Sequence, residues 1–101
     1  MHLIQILLPR RVGDTAATDT AFALTRAELV DAFGGVTAYL RSPAVGAWAS
    51  PDGSIERDDM VMVEVLIEEF DRAWWREYVR TLAVRFAQDE IHIRALLAEA
   101  P

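Results

Sequence analysis

One histidine and one glutamate are the residues of this chain best suited to proton transfer: His92 and Glu64. Imidazole ionises near neutral pH, and a carboxylate on an apolar surface can act as a base. The predicted strands that carry Arg41 and Arg94 bring two guanidinium groups to the same surface as His92 and Glu64, where either could hold a carboxylate. The catalytic candidates are therefore His92 and Glu64.

The residues that could contact a ligand gather on one predicted face of a β-sheet. The ligand-binding candidates are Gln5, Tyr39, Arg41, Met62 and Arg94. Two interpretations of this surface stay open. Arginine and glutamate pair across strands at a dimer seam, or they line a cleft in which an arginine holds an anion.

The sequence predicts no metal site and no cofactor. The chain has no cysteine, its two histidines fall on opposite faces of the predicted sheet, and no third ligand stands at a familiar spacing. The acidic residues Glu56, Asp58 and Asp59 lack the spacing of a calcium loop.

Apolar strands and two helices must position these residues. The first helix, which ends at Gly34 and Gly35, begins at Asp19 or Thr20, or at a capping box of Thr25 and Glu28. We favour the longer helix, because two turns are too few to cover a sheet. The predicted elements are a strand over 2–8, a loop over 12–20, this helix, a strand over 36–41 interrupted at 42–43, a hairpin turn at 50–53, a return strand over 55–67, a helix over 71–87 capped by Asp71, and a strand over 91–96.

This order of elements, β-α-β-β-α-β within one domain over residues 1–101, predicts an α+β fold. The expected architecture is a ferredoxin-like βαββαβ sandwich. It has a four-stranded antiparallel sheet, two helices on one face, and a long hairpin between the second and third strands.

The predicted strands sort their side chains onto two faces. One apolar set lies beneath the helices: Ile4, Ile6, Leu8, Val36, Ala38, Leu40, Val61, Val63, Val65, Ile67, Ile91, Ile93 and Ala95. The helices contribute two stripes to this core: Phe22, Leu29, Val30 and Phe33, then Trp75, Val79, Leu82 and Phe86. The row of Arg72, Arg76 and Arg80 is interpreted as a solvated face.

The opposite face carries leucines and methionines although no helix remains to cover it. A surface of this kind usually marks an interface. We therefore expect a second copy to cover it, forming a homodimer. The interface candidates are Leu3, Leu7, Trp48, Met60, Leu66, Trp74 and Tyr78.

The composition narrows the choice of partners and of compartment. The net charge is −6 and the pI is near 4.7, so nucleic acid and anionic membranes are not expected to bind. No apolar run approaches the roughly 20 residues of a membrane span. Residues 1–8 are short for a signal peptide, which favours a cytoplasmic location.

Several segments resemble a family of small bacterial proteins of about this length that has no assigned activity. These segments are HLIQILLP, FGGVTAYLRSP, the tryptophan before the PDG turn, RDDMVMVEV and FDRAWWREY. The resemblance implies a ferredoxin-like domain, more distantly similar to dimeric α/β barrel proteins. The chain lacks the histidine-rich or asparagine-tryptophan pocket of the oxygenases in that group.

These observations favour a homodimeric binding or accessory module with no demonstrated catalysis over an enzyme, because no set of nucleophile, base and oxyanion donors can be assembled. The alternative is a cofactor-independent enzyme of the monooxygenase, isomerase or decarboxylase type. It would act on a small apolar acid held by Arg41 or Arg94, with His92 or Glu64 moving the proton. In a third interpretation, the same face binds a different protein.

Overall fold

The computed structural model describes residues 1–9, 15–35, 37–41, 47–49, 55–57 and 60–99. Two helices and six strands occupy these ranges. The elements are β1 (His2–Pro9), α1 (Thr15–Phe33), β2 (Thr37–Arg41), β3 (Ala47–Ala49), β4 (Ile55–Arg57), β5 (Met60–Ile67), α2 (Arg72–Arg85) and β6 (His92–Leu97). Neither helix of the described chain is long and apolar enough to cross a lipid bilayer.

Strand β1 is the centre of the main sheet and pairs antiparallel with β5 on one side and β6 on the other. The pairing sets Gln5 opposite Glu64 on β5 and opposite Arg94 on β6. The five residues of β2 lie along the outer edge of β5, while β3 and β4 pair with each other in a separate sheet.

The predicted ferredoxin-like βαββαβ sandwich is wrong. The body of the sheet is three long strands, β5-β1-β6, and the element order is βαββββαβ. The expected long hairpin is divided among short strands in two sheets. Ser42-Pro43 and Asp58-Asp59 stand between these strands in the sequence; proline has no N–H for a ladder, and aspartate is disfavoured in strands. The coarser prediction, that the fold belongs to the α+β class, agrees with the structure. The predicted interruption at 42–43 and the turn at 50–53 lie outside the described residues.

Alternation along β1 and β5 separates the two faces of the sheet as predicted. Even-numbered residues of β1 and odd-numbered residues of β5 face the helices. The buried strand residues on this side are Ile4, Ile6, Leu8, Val63, Val65 and Ile67, with Val61 partly buried. On the C-terminal side of the sheet, Ile91 is buried, but Ala95 is exposed, contrary to the predicted core set.

Helix α1 begins at Thr15, inside the segment predicted as a loop. Its most deeply buried residues are Thr18, Ala21, Thr25 and Leu29. They are spaced three or four residues apart and therefore lie on one face of the helix. The Thr25 hydroxyl donates to the Ala21 carbonyl at 2.8 Å, so a buried threonine stays hydrogen-bonded inside the helix. Val30, predicted in the core stripe, points away from this face and is exposed. The predicted stop is present: Gly34 has a positive φ of 82°.

Helix α2 begins after Asp71, as predicted, because the Asp71 carboxylate accepts a hydrogen bond from the Trp74 N–H at 3.1 Å. Its buried side chains are Trp75, Tyr78 and Leu82, followed by Phe86 just beyond the helix. This stripe packs on the helix-facing side of the sheet beside α1.

A charged and hydrogen-bonded cluster joins the two helices. The Arg85 guanidinium on α2 donates to both carboxylate oxygens of Glu28 on α1, at 2.5 and 3.0 Å. It also donates to the Thr25 hydroxyl at 2.9 Å, and the Tyr78 hydroxyl donates to Glu28 at 3.0 Å. The hydrogen bond from Arg85 lowers the pKa of the Glu28 carboxyl below its ordinary value, while burial raises the pKa of Tyr78. This cluster fixes the position of α2 against α1.

We expect the Glu28 carboxylate to stabilise the fold at neutral pH and to lose that effect in acid. Its folded-state pKa lies below its unfolded value of 4.5, so the contribution is present above pH 4.5 and disappears as the pH falls through the folded-state pKa. Urea unfolding of wild type and Glu28→Gln should differ by about 1 kcal/mol or less at pH 7, because the half-exposed carboxylate is screened. The difference should shrink below pH 4.5.

The control for this measurement is Glu77→Gln, which removes an exposed carboxylate paired with Arg80 on the surface of α2. Its effect on the unfolding free energy should be smaller. A Glu28→Gln difference that does not depend on pH would contradict the assigned role of the cluster.

Candidate functional site

The face of the sheet opposite the helices, called here the open face, brings three predicted site residues together. Glu64, Gln5 and Arg94 stand side by side on β5, β1 and β6. The Gln5 amide nitrogen donates to Glu64 Oε2 at 2.7 Å, and Arg94 Nε donates to Gln5 Oε1 at 2.8 Å. Gln5 thus bridges the Glu64 carboxylate and the Arg94 guanidinium, which lie on two strands separated by β1.

The next row of the open face contains Tyr39, Met62, Leu7 and His92 in register. Met62 is only 3% exposed, so this predicted ligand contact is buried within the chain. The His92 side chain is exposed and borders a shallow cavity of about 220 Å³ that Gln5, Leu7 and Arg94 also line. In this cavity the catalytic candidate His92 lies beside residues that could contact a substrate.

A third row is apolar and partly exposed. Leu66 is 53% exposed on β5, Leu3 is half-buried on β1, and Leu96 is 43% exposed on β6. At the opposite end of the face, the pairing aligns Arg41, Met60 and Pro9. The polar row of Glu64, Gln5 and Arg94 is therefore flanked on one side by the apolar row of Leu66, Leu3 and Leu96, and on the other by the row that contains Met62, Leu7 and the exposed His92.

The remaining predicted interface residues do not lie on the open face. Trp48 belongs to β3, in the separate two-stranded sheet. Trp74 and Tyr78 lie on α2, where their rings stack with centroids 5.0 Å apart. Trp74 is partly exposed, but Tyr78 is buried in the core and its hydroxyl is bound to Glu28. The candidates thus fall on separate surfaces.

The two histidines lie on opposite faces of the sheet. His2 shares the helix-facing side with Ile4, whereas His92 is paired with Leu7 on the open face. Within the described residues, no group of three or more His, Cys, Asp or Glu side chains is arranged to hold a metal ion.

Sequence reasoning missed a cleft on the helix-facing side, between α2 and the β1–β6 half of the sheet. The cleft has a volume of about 620 Å³. Its α2 wall carries Arg72, Arg76 and Arg80, one helical turn apart, a row predicted to be merely solvated. The cleft exists because α2 leaves the end of β6 uncovered: Leu97 is 85% exposed, and Ala95 is exposed as well.

Two ring contacts shape one end of this cleft. The Arg72 guanidinium carbon lies 5.1 Å from the centroid of the Phe70 ring, and the His2 ring lies 5.3 Å from the same ring. The sequence signal for the cleft was present in two parts: arginines at i, i+4 and i+8, and apolar residues at alternate positions of β6. Only the tertiary structure shows that these parts face each other.

No protein-family model matches the chain, and no curated protein is significantly similar to it. The resemblance to small bacterial proteins therefore gains no support from these comparisons. Function has to be argued from the geometry of the surfaces described above.

We expect Gln5→Met to destabilise the fold by about 1 kcal/mol, because it removes two hydrogen bonds that satisfy Glu64 and Arg94. Urea unfolding monitored by tryptophan fluorescence measures this change. The matched control is Gln88→Met, since the Gln88 amide donates only to nearby backbone carbonyls among the described residues. Equal changes in unfolding free energy for the two substitutions would show that the row of Glu64, Gln5 and Arg94 does not stabilise the fold more than a surface hydrogen bond does.

Proposed function

We propose that this protein is a homodimeric binding or accessory module without catalytic activity, in which two copies pack their open faces together. The observation that supports the proposal is the order of the rows. An acid, an amide and a base cross the sheet in line, with the apolar row of Leu66, Leu3 and Leu96 on one side and the row of Met62, Leu7 and His92 on the other. Such a pattern is complementary to itself, as the surface of a two-fold symmetric dimer must be.

The symmetry can be followed residue by residue. A two-fold axis that runs between two copies, parallel to β1, keeps each row at its own height and exchanges left and right. Glu64 then faces the partner's Arg94, and Leu66 faces the partner's Leu96. Leu3, on the central strand, meets its own counterpart. Opposite charges are matched in the row of Gln5, and apolar groups are matched in the row of Leu3.

The internal hydrogen bonds leave atoms available for these contacts. Gln5 engages Oε2 of Glu64 and Nε of Arg94. Within the described residues, Glu64 Oε1 and the two Nη groups of Arg94 are not so engaged, and a guanidinium and a carboxylate each bind several partners at once. Gln5 therefore orients both charged groups before association, which lowers the entropy lost on binding.

The net charge of −6 argues against nucleic acid or an anionic membrane as the partner. The face has few cationic groups, and the leucine rows are suited to a protein surface. A different protein with a similar pattern would satisfy the same face, so the oligomeric state is the decisive measurement.

We expect light scattering on a sizing column to give twice the chain mass of 11.3 kDa. Glu64→Arg should weaken the dimer at least about tenfold, because it sets two arginines against each other at each of two equivalent positions. The double variant Glu64→Arg with Arg94→Glu should restore the dimer by exchanging the charges. The control, Asp31→Arg on the exposed side of α1, changes the charge equally and should leave the mass unchanged.

A monomeric wild type would contradict the homodimer and would favour a different protein as the partner. A dimer that Glu64→Arg does not weaken would place the interface elsewhere. Failure of the double variant to dimerise would overturn the pairing of Glu64 with Arg94.

One observation favours a second function, a cofactor-independent enzyme acting on a small apolar acid. His92 is exposed beside the 220 Å³ cavity, with Arg94 in reach of a carboxylate bound there. Against it, His92 and Glu64 lie on strands about 10 Å apart on opposite sides of β1, and they are offset by two residues along the strands, which puts their backbones about 12 Å apart. They cannot act directly on the same proton, so only one of them could serve as the base.

If the protein is such an enzyme, turnover of a panel of small apolar carboxylic acids should fall at least about 100-fold in His92→Ala or in Glu64→Gln. Circular dichroism should show that both variants remain folded. Detectable turnover that neither substitution changes would exclude the proposed proton transfer, and no turnover of any acid would leave the binding module as the function.

A further inference from the structure

The cleft between α2 and the β1–β6 half of the sheet combines an apolar floor with a cationic wall. Its floor contains Ile4, Val79 and Ile93, and the Trp75 ring lies at its base. Its wall is the row of Arg72, Arg76 and Arg80 on α2. We propose that this cleft binds a small amphipathic organic anion, whose apolar body lies on the floor and whose carboxylate or equivalent head group contacts the arginine row.

The charge around the cleft is opposite to that of the chain. The sequence has 16 acidic and 10 basic residues, yet no aspartate or glutamate among the described residues lines the cleft. Arg94 also borders it, but the hydrogen bond from its Nε to Gln5 holds its guanidinium toward the open face, so the cations that face the cleft are those of α2. A local cationic surface on an acidic protein attracts anions to that place alone.

The three arginines differ in how far they are already engaged. Arg72 lies over the Phe70 ring, and Arg80 is paired with the exposed Glu77 at 2.5 Å. Arg76, in the middle of the row, has no ion pair or hydrogen bond with the described part of the chain. It is therefore the residue best placed to bind a head group without breaking an existing contact.

A second polar group at the same place has no partner. The Nδ1 atom of His2 is buried, and the described residues offer it no hydrogen-bond partner. His2 lines the cleft beside Phe70. A buried nitrogen without a partner is costly unless something else satisfies it. The described chain thus leaves a hydrogen-bonding atom unused beside the cleft.

The size and lining of the cleft define the ligand class. A volume of about 620 Å³ lies within the usual range for small-molecule pockets. The exposed side chain of Leu97 would gain cover from an aliphatic or aromatic body. One short row of arginines suits a single anionic head group. Because the cleft lies on the helix side, this proposal does not depend on association through the open face.

Isothermal titration calorimetry with sodium octanoate, octylamine and octanol tests the proposal on the full chain. The three probes share an apolar tail and differ in head-group charge. We expect octanoate to bind at least about tenfold more tightly than octylamine or octanol, since charge-assisted hydrogen bonds form only with the anion. Absence of octanoate binding, or equal binding of octylamine, would overturn the proposal.

Two variants locate the binding site. Arg76→Gln should weaken octanoate binding about tenfold, while its control Arg26→Gln removes an equal charge from the exposed side of α1 and should have no effect. Ala95→Trp should block the cleft without changing charge, whereas Val84→Trp, at a position 84% exposed on α2, should not. Octanoate binding that survives both cleft variants would place the anion elsewhere and overturn the assignment.

Discussion

The alternation of side chains on the central strand β1 is the constraint on which the rest of the structure depends. β1 is hydrogen-bonded on both sides, so its residues contribute to the middle of both faces of the sheet. Ile4, Ile6 and Leu8 anchor the core under the helices, while Gln5 connects the strands on the other side. A slip of one residue would exchange these sets, burying an amide in the core and exposing three large apolar side chains.

The position of α2 follows from its attachment to α1 as much as from its packing on the sheet. The Tyr78 hydroxyl on α2 donates to Glu28 on α1 at 3.0 Å. Arg85 then ties the end of α2 to Glu28. With α2 held toward α1, neither helix of the described chain covers the end of β6, where Leu97 is 85% exposed. The arginine cleft is the direct consequence.

The two sides of the molecule therefore carry different chemistry. The open face has balanced charges already oriented by Gln5, which suits association with a matching surface. The cleft has unbalanced positive charge above an apolar floor, which suits a small anion. The net charge of this acidic chain indicates neither property, because both depend on the positions of a few arginines in the fold.

Much of the local structure was predictable because its causes are local. Asp71 caps α2 through a hydrogen bond three residues away, and Gly34 ends α1 because glycine tolerates positive φ. The prediction placed the start of α1 too late, because threonine hydroxyls compete for backbone hydrogen bonds and so favour loops. Inside the helix a threonine hydroxyl can instead donate to a carbonyl one turn earlier, as Thr25 does to Ala21. The predicted long hairpin was wrong because Ser42-Pro43 and Asp58-Asp59 stand between its strands in the sequence, where proline lacks an N–H for the ladder and aspartate is disfavoured.

The sequence by itself determined the α+β class, the sorting of β1 and β5 into two faces, and the placement of Gln5, Glu64 and Arg94 on one of them. Those features follow from side-chain periodicity, which the chain carries at every residue. Only the tertiary structure decided that Tyr78 lies in the core, that Val30 is exposed, and that Arg76 borders a cleft. These outcomes depend on the distance and angle between α2 and the sheet, which packing across the whole core sets and no local pattern records.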